Sequence, residues 1–458
     1  MSITAAFMVP HPPLIIPQVG RGGEAQIAET DRAYRRAAAE IAALAPETVI
    51  ISSPHATAYT DYFHISPGTG SRGSFGRFGA PQVHLTADYD SEFIAALGGF
   101  CREQGFPAGT AGEREPELDH GTMVPLYFLR QAGVEARIVR LGLSGLSLAD
   151  HYRLGTLIAA AAEQLDRRAV YVASGDLSHR LQPHGPYGWD PAGPEYDRRL
   201  LDACGRAAFG ELLDFDEDFC QQAAECGHRS FVIMAGALDG RAVRAEVFSH
   251  QDVTGVGYGV CSFYPGAPDA DRRFLDIRLQ QRLAAREEGG DPLVALARLT
   301  IESYVGRGVM PELPEGLPPE LTARRAGAFV SLHEQGQLRG CIGTIAPTAD
   351  CLGREIMQNA VSAAVRDPRF APVRRDELPW LDISVDVLGE AEDIDSPAEL
   401  DVKRYGVIVS RGGRRGLLLP YLAGVDSVEQ QIAIARQKAG IGPEEKVSLQ
   451  RFEVVRHV

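Results

Sequence analysis

Paired cysteines, long apolar runs and a surplus of basic residues are all missing from this chain of 458 residues. Its seven cysteines are scattered and form no CxxC pair, so the sequence predicts neither a disulfide framework nor a zinc ribbon. No uninterrupted apolar run is long enough to cross a bilayer, and residues 1–20 lack the basic segment of a signal peptide. We therefore expect a protein of the reducing cytosol that does not associate with membranes.

The charge balance restricts the partners further. Acidic residues outnumber basic ones by 61 to 46, which gives a formal charge of −15. Nucleic acids and anionic membranes attract basic surfaces, so this balance argues against both as partners. A chain of this length exceeds what one hydrophobic core organises, and more than one domain is expected.

The pattern of elements divides the chain in two. Strand and helix patterns alternate up to about residue 265, which is typical of an α/β domain. A segment rich in Pro, Gly and Asp follows, and we predict domains at 1–265 and 290–458 joined by a linker at 266–289. The second domain mixes hairpin and helix patterns and is predicted to be α+β. The glycine-rich segment 68–79 lacks the Lys of a phosphate loop and is predicted to be a surface loop, with a mobile flap near a site as the alternative.

Three histidines of the first domain each follow a predicted strand. His11 follows the strand at 3–9, His55 follows the β-branched run at 48–52, and His179 lies just beyond the strand at 168–173. Ligands of open α/β sheets bind outside the carboxyl ends of the strands. Ferrous iron and zinc are held by neutral imidazoles together with a carboxylate or thiolate, with one position left open. The pattern therefore predicts a metal site, although a single strand-end histidine is more often structural.

Other residues are candidates for the same site. His120 is a fourth imidazole, and Glu225 or Cys226 could be the third ligand, although such residues are commonly a solvated helix end and a buried thiol. Asp176 could orient an imidazole by a hydrogen bond or, equally, cap the chain after the strand. The histidines without strand-end placement are assigned to the surface or to the surroundings of the site: His64, His84, His151, His184, His228 and His250.

Four motifs in order along the first 260 residues resemble the class III extradiol ring-cleaving dioxygenases of the LigB type, a family that includes the Memo-like proteins. They are Pro-His-Pro-Pro at 10–13, Ser-Pro-His at 53–55, Asp-His-Gly-Thr-Met-Val-Pro-Leu at 119–126 and Ser-Gly-Asp-Leu-Ser-His at 174–179. The resemblance implies an α/β sandwich around a mixed sheet. It also implies an Fe(II) ion held by two histidines and a glutamate, as in the dioxygenase members.

Carried onto this chain, the resemblance makes His11 and His55 metal ligands, His179 the acid–base group and His120 a histidine of the substrate pocket. An imidazole with a pKa near its usual value of about 6.5 suits proton removal and return. The third ligand departs from the dioxygenase pattern. The glutamate at 225 lies one or two residues too far upstream, whereas the cysteine at 226 matches Memo-like proteins. Fe(II) is the expected cofactor, with another divalent metal or copper as alternatives.

The second domain contains the segment Leu-Arg-Gly-Cys-Ile-Gly-Thr at 338–344. Cys341 could act as a nucleophile there, since the neighbouring Arg339 would raise its thiolate fraction. The preferred interpretation is a small buried residue in a tight strand between Gly340 and Gly343.

Together with two downstream motifs, this segment closely resembles the AMMECR-type domain over about residues 290–458. Those motifs are Asp-Pro-Arg-Phe at 367–370 and Asp-Val-Lys-Arg-Tyr-Gly-Val at 401–407. The resemblance implies no established activity. Memo-like and AMMECR-like proteins are associated in prokaryotes with a radical-SAM protein, which is therefore a possible partner.

Three functions remain open at this point. The first is a metal-dependent oxidoreductase, a non-haem Fe(II) dioxygenase acting on a small aromatic diol and O2. The second is a metal-binding component of a radical-SAM-associated modification system with no ring cleavage of its own. The third is a non-catalytic scaffold.

Overall fold

The computed structural model describes residues 3–287, 290–334, 336–422 and 424–458. The chain divides into two compact units, Met1–Arg278 and Leu279–Val458. The predicted linker at 266–289 contains the end of a strand and the whole of a helix. Within the described ranges, no helix is both long enough and apolar enough to cross a membrane.

A mixed sheet forms the centre of unit 1. Its β1, β2, β7 and β8 are parallel, β10 and β9 are antiparallel, and the order is β7-β2-β8-β1-β10-β9. The strands of the unit are β1 (Ile3–Val9), β2 (Thr48–Ser53), β3 (Phe63–His64), β4 (Gly70–Phe75), β5 (Ala80–Asp88), β6 (Ala108–Gly109), β7 (Arg137–Gly142), β8 (Ala169–Ser174), β9 (Arg241–Gln251) and β10 (Tyr258–Pro268). The β-branched runs in β2 and β8 are buried along their whole length, as strands of a covered parallel sheet are.

Helices cover this sheet, and the predicted α/β class is confirmed. The pair α2 and α4 packs together and on the sheet, and so does the pair α5 and α8. The helices are α1 (Pro17–Gly20), α2 (Ala28–Leu44), α3 (Ser91–Glu103), α4 (His120–Gln131), α5 (Leu148–Gln164), α6 (Ala192–Gly205), α7 (Glu217–Ala223), α8 (His228–Ala237) and α9 (Phe274–Glu287), the last of which crosses the division between the units.

The glycine-rich segment 68–79 is not the loop that its composition predicts. It forms β4, which pairs with β5 in an antiparallel hairpin, and Phe78 lies in the short turn between them. A glycine is required at position 73 because a Cβ there would lie 2.5 Å from the carbonyl oxygen of Leu118. The glycines therefore allow close backbone packing of a strand.

Unit 2 is built on an antiparallel sheet in the order β12-β11-β13-β17-β15-β16, with β14 paired to β17. Helices α10 and α12 pack together, α12 also packs on β11 and β12, and α13 packs on β15 and β16. The elements are α10 (Pro292–Arg307), α11 (Pro319–Ala323), β11 (Ala328–Glu334), β12 (Gln337–Gly343), α12 (Leu352–Val365), β13 (Leu381–Leu388), β14 (Glu392–Ile394), β15 (Tyr405–Arg411), β16 (Arg414–Leu418), α13 (Val428–Ala439) and β17 (Ser448–His457).

Candidate metal centre

Three neighbouring parallel strands, β2, β8 and β1, end at the same edge of the unit 1 sheet. Val9 of β1 is paired with Ser174 of β8, so the two strand ends are level. Each strand is followed by an imidazole of the predicted set: His11 after β1, His55 after β2 and His179 after β8. The sheet topology therefore brings together residues that are far apart along the chain.

The ligand atoms of His11, His55 and Cys226 all lie within 4.8 Å of one another. The Nε2 atoms of the two histidines are 3.0 Å apart, and Cys226 Sγ is 3.7 Å from His11 Nε2. When two ligand atoms each bind one ion at about 2.1 Å and the two bonds form roughly a right angle, the ligand atoms lie about 3 Å apart. The spacing of this cluster, which we call the HHC cluster, therefore fits a shared cation.

Hydrogen bonds orient His11 toward the cluster. Its Nδ1 lies 3.0 Å from the hydroxyl of Ser174, and that hydroxyl itself donates to the carbonyl oxygen of Gly121 at 2.6 Å. The hydroxyl therefore accepts from Nδ1–H, which leaves Nε2 of His11 unprotonated and free to bind a metal. The backbone N–H of His11 donates to Asp176 Oδ1 at 2.8 Å and fixes the chain after β1.

The electrostatics of the site favour uncharged imidazoles. Burial, with a further contribution from His55, holds the pKa of His11 well below its usual value. His55 is the exposed member of the cluster, and its partial burial lowers its pKa as well. Burial followed by the two neighbouring imidazoles lowers the pKa of His120 to about 3. Neutral imidazole is the form that binds metals. Burial raises the pKa of the Cys226 thiol, and nearby Asp176 raises it further, so a cation must displace the thiol proton.

Two glycines bring Cys226 to the strand ends. A Cβ on Gly175 would lie 2.2 Å from Cα of Gly227, so the loop after β8 and the loop before α8 can touch only where both lack side chains. The contact places the backbone N–H of Asp176 3.3 Å from Cys226 Sγ. Sequence reasoning did not identify this role, although each glycine directly adjoins a candidate site residue.

Glu225, the other candidate for the third ligand, lies outside the HHC cluster. Its Oε2 accepts a hydrogen bond from the backbone N–H of His228 at 2.6 Å, at the start of α8. The left-handed conformation of Ala224, with φ of 53°, turns the chain just before it. Burial raises the pKa of Glu225 to about 7. The structure thus uses this carboxyl group to cap a helix.

His179 and Asp176 border the HHC cluster. Both groups belong, with Cys226, to a second set of possible ligand atoms within 4.8 Å of one another. Nδ1 of His179 contacts the carbonyl oxygen of Ala224 and must donate to it, which leaves Nε2 as the basic nitrogen. That nitrogen is 4.0 Å from Asp176 Oδ2. Asp176 also holds the backbone of His11, so it orients the site.

His120 is the first residue of α4, and its ring lies beside the rings of His11 and His55. The ring centroids of His120 and His55 are 4.0 Å apart, and the ring of Phe78 from the β4–β5 turn is 5.2 Å from that of His120. The side chain of Asp119 caps α4 by accepting from the backbone N–H of Thr122 at 2.9 Å. This cap fixes the position of the imidazole next to it.

A buried ion pair that sequence reasoning missed supports this arrangement. Arg140 of β7 is 0% exposed, and its Nε and Nη2 donate to Asp119 Oδ2 at 3.1 and 3.0 Å. Oδ1 of the same carboxylate accepts from the hydroxyl of Ser53, which in turn accepts from the backbone N–H of His55. The pair therefore links β7, the end of β2 and the start of α4.

Three histidines that sequence reasoning assigned to the surface or the surroundings of the site are core residues. His64, His151 and His228 are each at most 1% exposed. His151 Nδ1 lies 2.8 Å from the carbonyl oxygen of Ser147, and His228 Nε2 lies 2.9 Å from that of Leu212. These side chains brace loops against the core.

In unit 2, Cys341 lies in β12 as predicted but is half-buried rather than buried, and its backbone contacts favour a structural role. The backbone N–H of Cys341 donates to Asp367 Oδ2 at 2.9 Å, and its carbonyl oxygen accepts from Arg369 at 3.1 Å. β12 is an edge strand of its sheet. The ion pair of Asp367 and Arg369 therefore supplies the hydrogen bonds that a neighbouring strand would otherwise give to the backbone of Cys341. The thiol accepts a hydrogen bond from the hydroxyl of Ser331 at 3.2 Å.

The other residues of this segment have packing roles. A Cβ on Gly340 would lie 2.2 Å from the carbonyl oxygen of Ala363, so this glycine lets α12 approach β12. A Cβ on Gly343 would meet the ring of Phe329 at 2.2 Å. Arg339 forms an ion pair with the buried Glu377 at 2.7 Å.

The fold and the HHC cluster define an α/β protein with a candidate metal centre at the strand ends. Residues 5–261 match the family model described as the catalytic LigB subunit of aromatic ring-opening dioxygenase, and residues 294–457 match the AMMECR1 model. The chain belongs to the LigB family and carries an AMMECR1 domain after it.

Some relatives match the whole chain and others match about a third of it. A protein of Clostridium acetobutylicum is 38% identical over 100% of this chain and 99% of its own length. A protein of Thermotoga maritima is 52% identical over 37% of this chain and 98% of its own length. A solved structure titled as an uncharacterized protein from Pyrococcus horikoshii is 36% identical, covers 36% of this chain and 89% of its own, and has a TM-score of 0.34. These descriptions state no activity.

Proposed function

We propose that unit 1 is a non-haem, metal-dependent oxidoreductase that uses O2 to open the ring of a small aromatic diol. The proposed metal ligands are His11, His55 and Cys226. The observation that carries the proposal is the HHC cluster, whose three ligand atoms lie within 4.8 Å of one another at the ends of parallel strands. Membership of the LigB family supports the reaction class.

The donor set suits a borderline or soft cation. Two imidazole nitrogens and one thiolate bind Fe(II), zinc or copper better than Mg²⁺ or Ca²⁺, which prefer oxygen. We propose Fe(II), with another divalent metal or copper as the alternatives. When bound, such an ion would lower the pKa of a coordinated hydroxyl group and offer a position for O2. A thiolate ligand must stay reduced, so a cytosolic location is part of the proposal.

The residues around the cluster would handle the substrate and its protons. Nε2 of His179 is the basic nitrogen, because Nδ1 is held by the carbonyl oxygen of Ala224. We propose that it takes a proton from a substrate hydroxyl and later returns it. His120 would contact the substrate from the opposite side. The rings of Phe78 and Tyr187, which lie 5.2 Å from His120 and 5.1 Å from His179, would pack against a planar substrate.

Oxygen uptake by anaerobically prepared, Fe(II)-loaded protein tests this function. We expect at least one diol in a panel of catechols to cause uptake of about one O2 per diol, with the absorbance of a ring-opened product. His179→Gln should slow this uptake by about 10²–10⁴-fold while the metal is retained, since only the proton transfer is removed. The exposed His84→Gln is the matched control and should react like the wild type. Absence of uptake with every diol, in protein that holds its metal, would exclude ring cleavage.

Two observations favour a second candidate function. A cysteine stands in the cluster where the dioxygenase pattern has a glutamate, and an AMMECR1 domain follows in the same chain. Both features suit a metal-binding component of a radical-SAM-associated modification system, with a radical-SAM protein as its partner. This candidate predicts full metal content without oxygen uptake. Protein that binds no metal at all would instead be the non-catalytic scaffold.

A further inference from the structure

Unit 2 contains a cavity of about 740 Å³ that neither proposed function uses. Residues of α9, α10, β11, β13 and the end of β17 line it, and the lining includes four arginines and one histidine against two aspartates. The arginines are Arg282, Arg286, Arg298 and Arg456. The lining therefore carries an excess of positive charge in a protein whose overall charge is negative.

Two of the four arginines have carboxylate partners. Arg282 pairs with Asp382 at 2.6 Å, and Arg456 pairs with Asp386 at 2.8 Å. Within the described residues, no carboxylate lies within 4.0 Å of the other two, Arg286 and Arg298.

The contacts made by Arg286 and Arg298 are with main-chain carbonyl oxygens. Arg286 donates to those of Pro379 and Leu381, and Arg298 donates to that of Leu381 as well. The two guanidinium groups therefore meet at a shared acceptor. Because this acceptor is uncharged, neither it nor any described carboxylate within 4.0 Å neutralises their positive charge.

The surroundings of Arg286 and Arg298 disfavour the charged form of both side chains. Burial, followed by repulsion from Arg286, lowers the pKa of Arg298 to about 10. Burial and repulsion from Arg282 also lower the pKa of Arg286. Glu302 and Asp382 act in the opposite direction without outweighing these effects. A cluster of like charges that is half removed from water is stabilised by an anion placed among them.

The rest of the lining limits the kind of anion. Val294, Ala295, Ile383 and Ala285 supply apolar surface beside the guanidinium groups. A cavity of this volume lies within the range of about 300–1,000 Å³ that is typical of sites for small molecules. Planar guanidinium groups bind carboxylate and phosphate through paired hydrogen bonds.

We propose that this cavity is a binding site for a small organic anion, in which Arg286 and Arg298 bind a carboxylate or phosphate group and the aliphatic wall holds its apolar body. The site gives unit 2 a ligand-binding role that is independent of the metal centre in unit 1. Arg282 and Arg456, whose charges are already paired, complete the basic part of the lining.

Isothermal titration of the full chain with four probes tests the site. Phenyl phosphate and benzoate combine an oxyanion with an apolar ring, inorganic phosphate lacks the ring, and benzyl alcohol lacks the charge. We expect saturable binding of one molecule per site for phenyl phosphate or benzoate, binding of inorganic phosphate that is weaker by about 10-fold or more, and no binding of benzyl alcohol. The preferred oxyanion distinguishes a phosphate ligand from a carboxylate ligand.

Substitutions of the two arginines test whether the anion binds in this cavity. Arg298→Met and Arg286→Met should each lower the affinity by at least about 10-fold, because each removes charged hydrogen-bond donors. Arg298→Lys keeps the charge and should retain part of the affinity. Arg324→Met removes an exposed arginine of the same unit and is the matched control. Thermal unfolding without ligand should not favour the wild type over Arg298→Met, since the substitution removes a repelling charge. The proposal is overturned if no anion binds saturably, if benzyl alcohol binds equally well, or if both methionine variants bind like the wild type.

Discussion

Replacing Cys226 by serine should cost the protein its metal. The sulfur is one of three donor atoms in the HHC cluster, and a serine hydroxyl is a far weaker ligand for a borderline cation. Loss of a residue that only orients a ligand costs about 10–100-fold in metal affinity, so loss of the ligand itself should cost about 100-fold or more. Anaerobic titration with Fe(II) or zinc, followed by metal analysis after gel filtration, measures the change.

Glu225→Gln is the matched control for this experiment. The glutamine oxygen can still accept from the backbone N–H of His228, so the helix cap and the fold should remain. We expect this variant to bind metal as the wild type does, and His55→Ala to lose it as Cys226→Ser does. If Glu225→Gln loses the metal while Cys226→Ser keeps it, the carboxylate is the ligand. Full metal content in His55→Ala would remove the imidazole assignment.

Replacing Arg140 by methionine should strongly destabilise unit 1. It would leave the carboxylate of Asp119 buried without its cation, and breaking a buried pair in this way costs about 3–5 kcal/mol. The loss should be visible as a lower free energy of unfolding in denaturant titrations. Arg198→Met breaks an exposed pair with Glu195 and should change stability by less than about 1 kcal/mol.

The destabilisation should depend on pH in a defined direction. Burial alone would raise the pKa of Asp119, but attraction to Arg140 and hydrogen bonds from Ser53 and Thr122 outweigh it and hold the pKa below its usual value. The wild type therefore gains stability from this group above the unfolded-state pKa of about 3.9, and loses it as pH falls through the lower folded value. In Arg140→Met the effect of burial dominates, so the folded-state pKa of Asp119 lies above its unfolded value. The carboxylate then destabilises the folded state at neutral pH instead of stabilising it. The difference between wild type and Arg140→Met should be largest near neutral pH and shrink on acidification, and a constant difference would contradict the assignment.

The most informative pattern in the sequence was a histidine shortly after each of three predicted strands. The runs before His11, His55 and His179 were recognisable as buried strands, and parallel strands of one sheet end at one edge. The α/β class of unit 1 and the α+β class of unit 2 followed from the same patterns. The order β2-β8-β1, which makes these three strands neighbours, depends on tertiary packing and could not be derived from the patterns.

Other features had no local signal. Whether Glu225 or Cys226 faces the histidines depends on one left-handed residue before them and on the approach of two glycines from separate loops. An arginine in a short strand, such as Arg140, resembles an exposed residue until its partner from another element is known. The segment 68–79 has the composition of a loop, and its glycines become explicable only when the backbone packed against them is known.

X-ray absorption at the metal edge of anaerobically purified, metal-loaded protein tests the central claim most directly. The account predicts one metal ion per chain, with one sulfur at about 2.3 Å and nitrogen ligands at about 2.0–2.1 Å, if the ion is zinc or of similar size. Any ion that Cys226→Ser still binds at high metal concentration should show no sulfur contribution. A bound metal surrounded only by oxygen and nitrogen in the wild type would contradict the account.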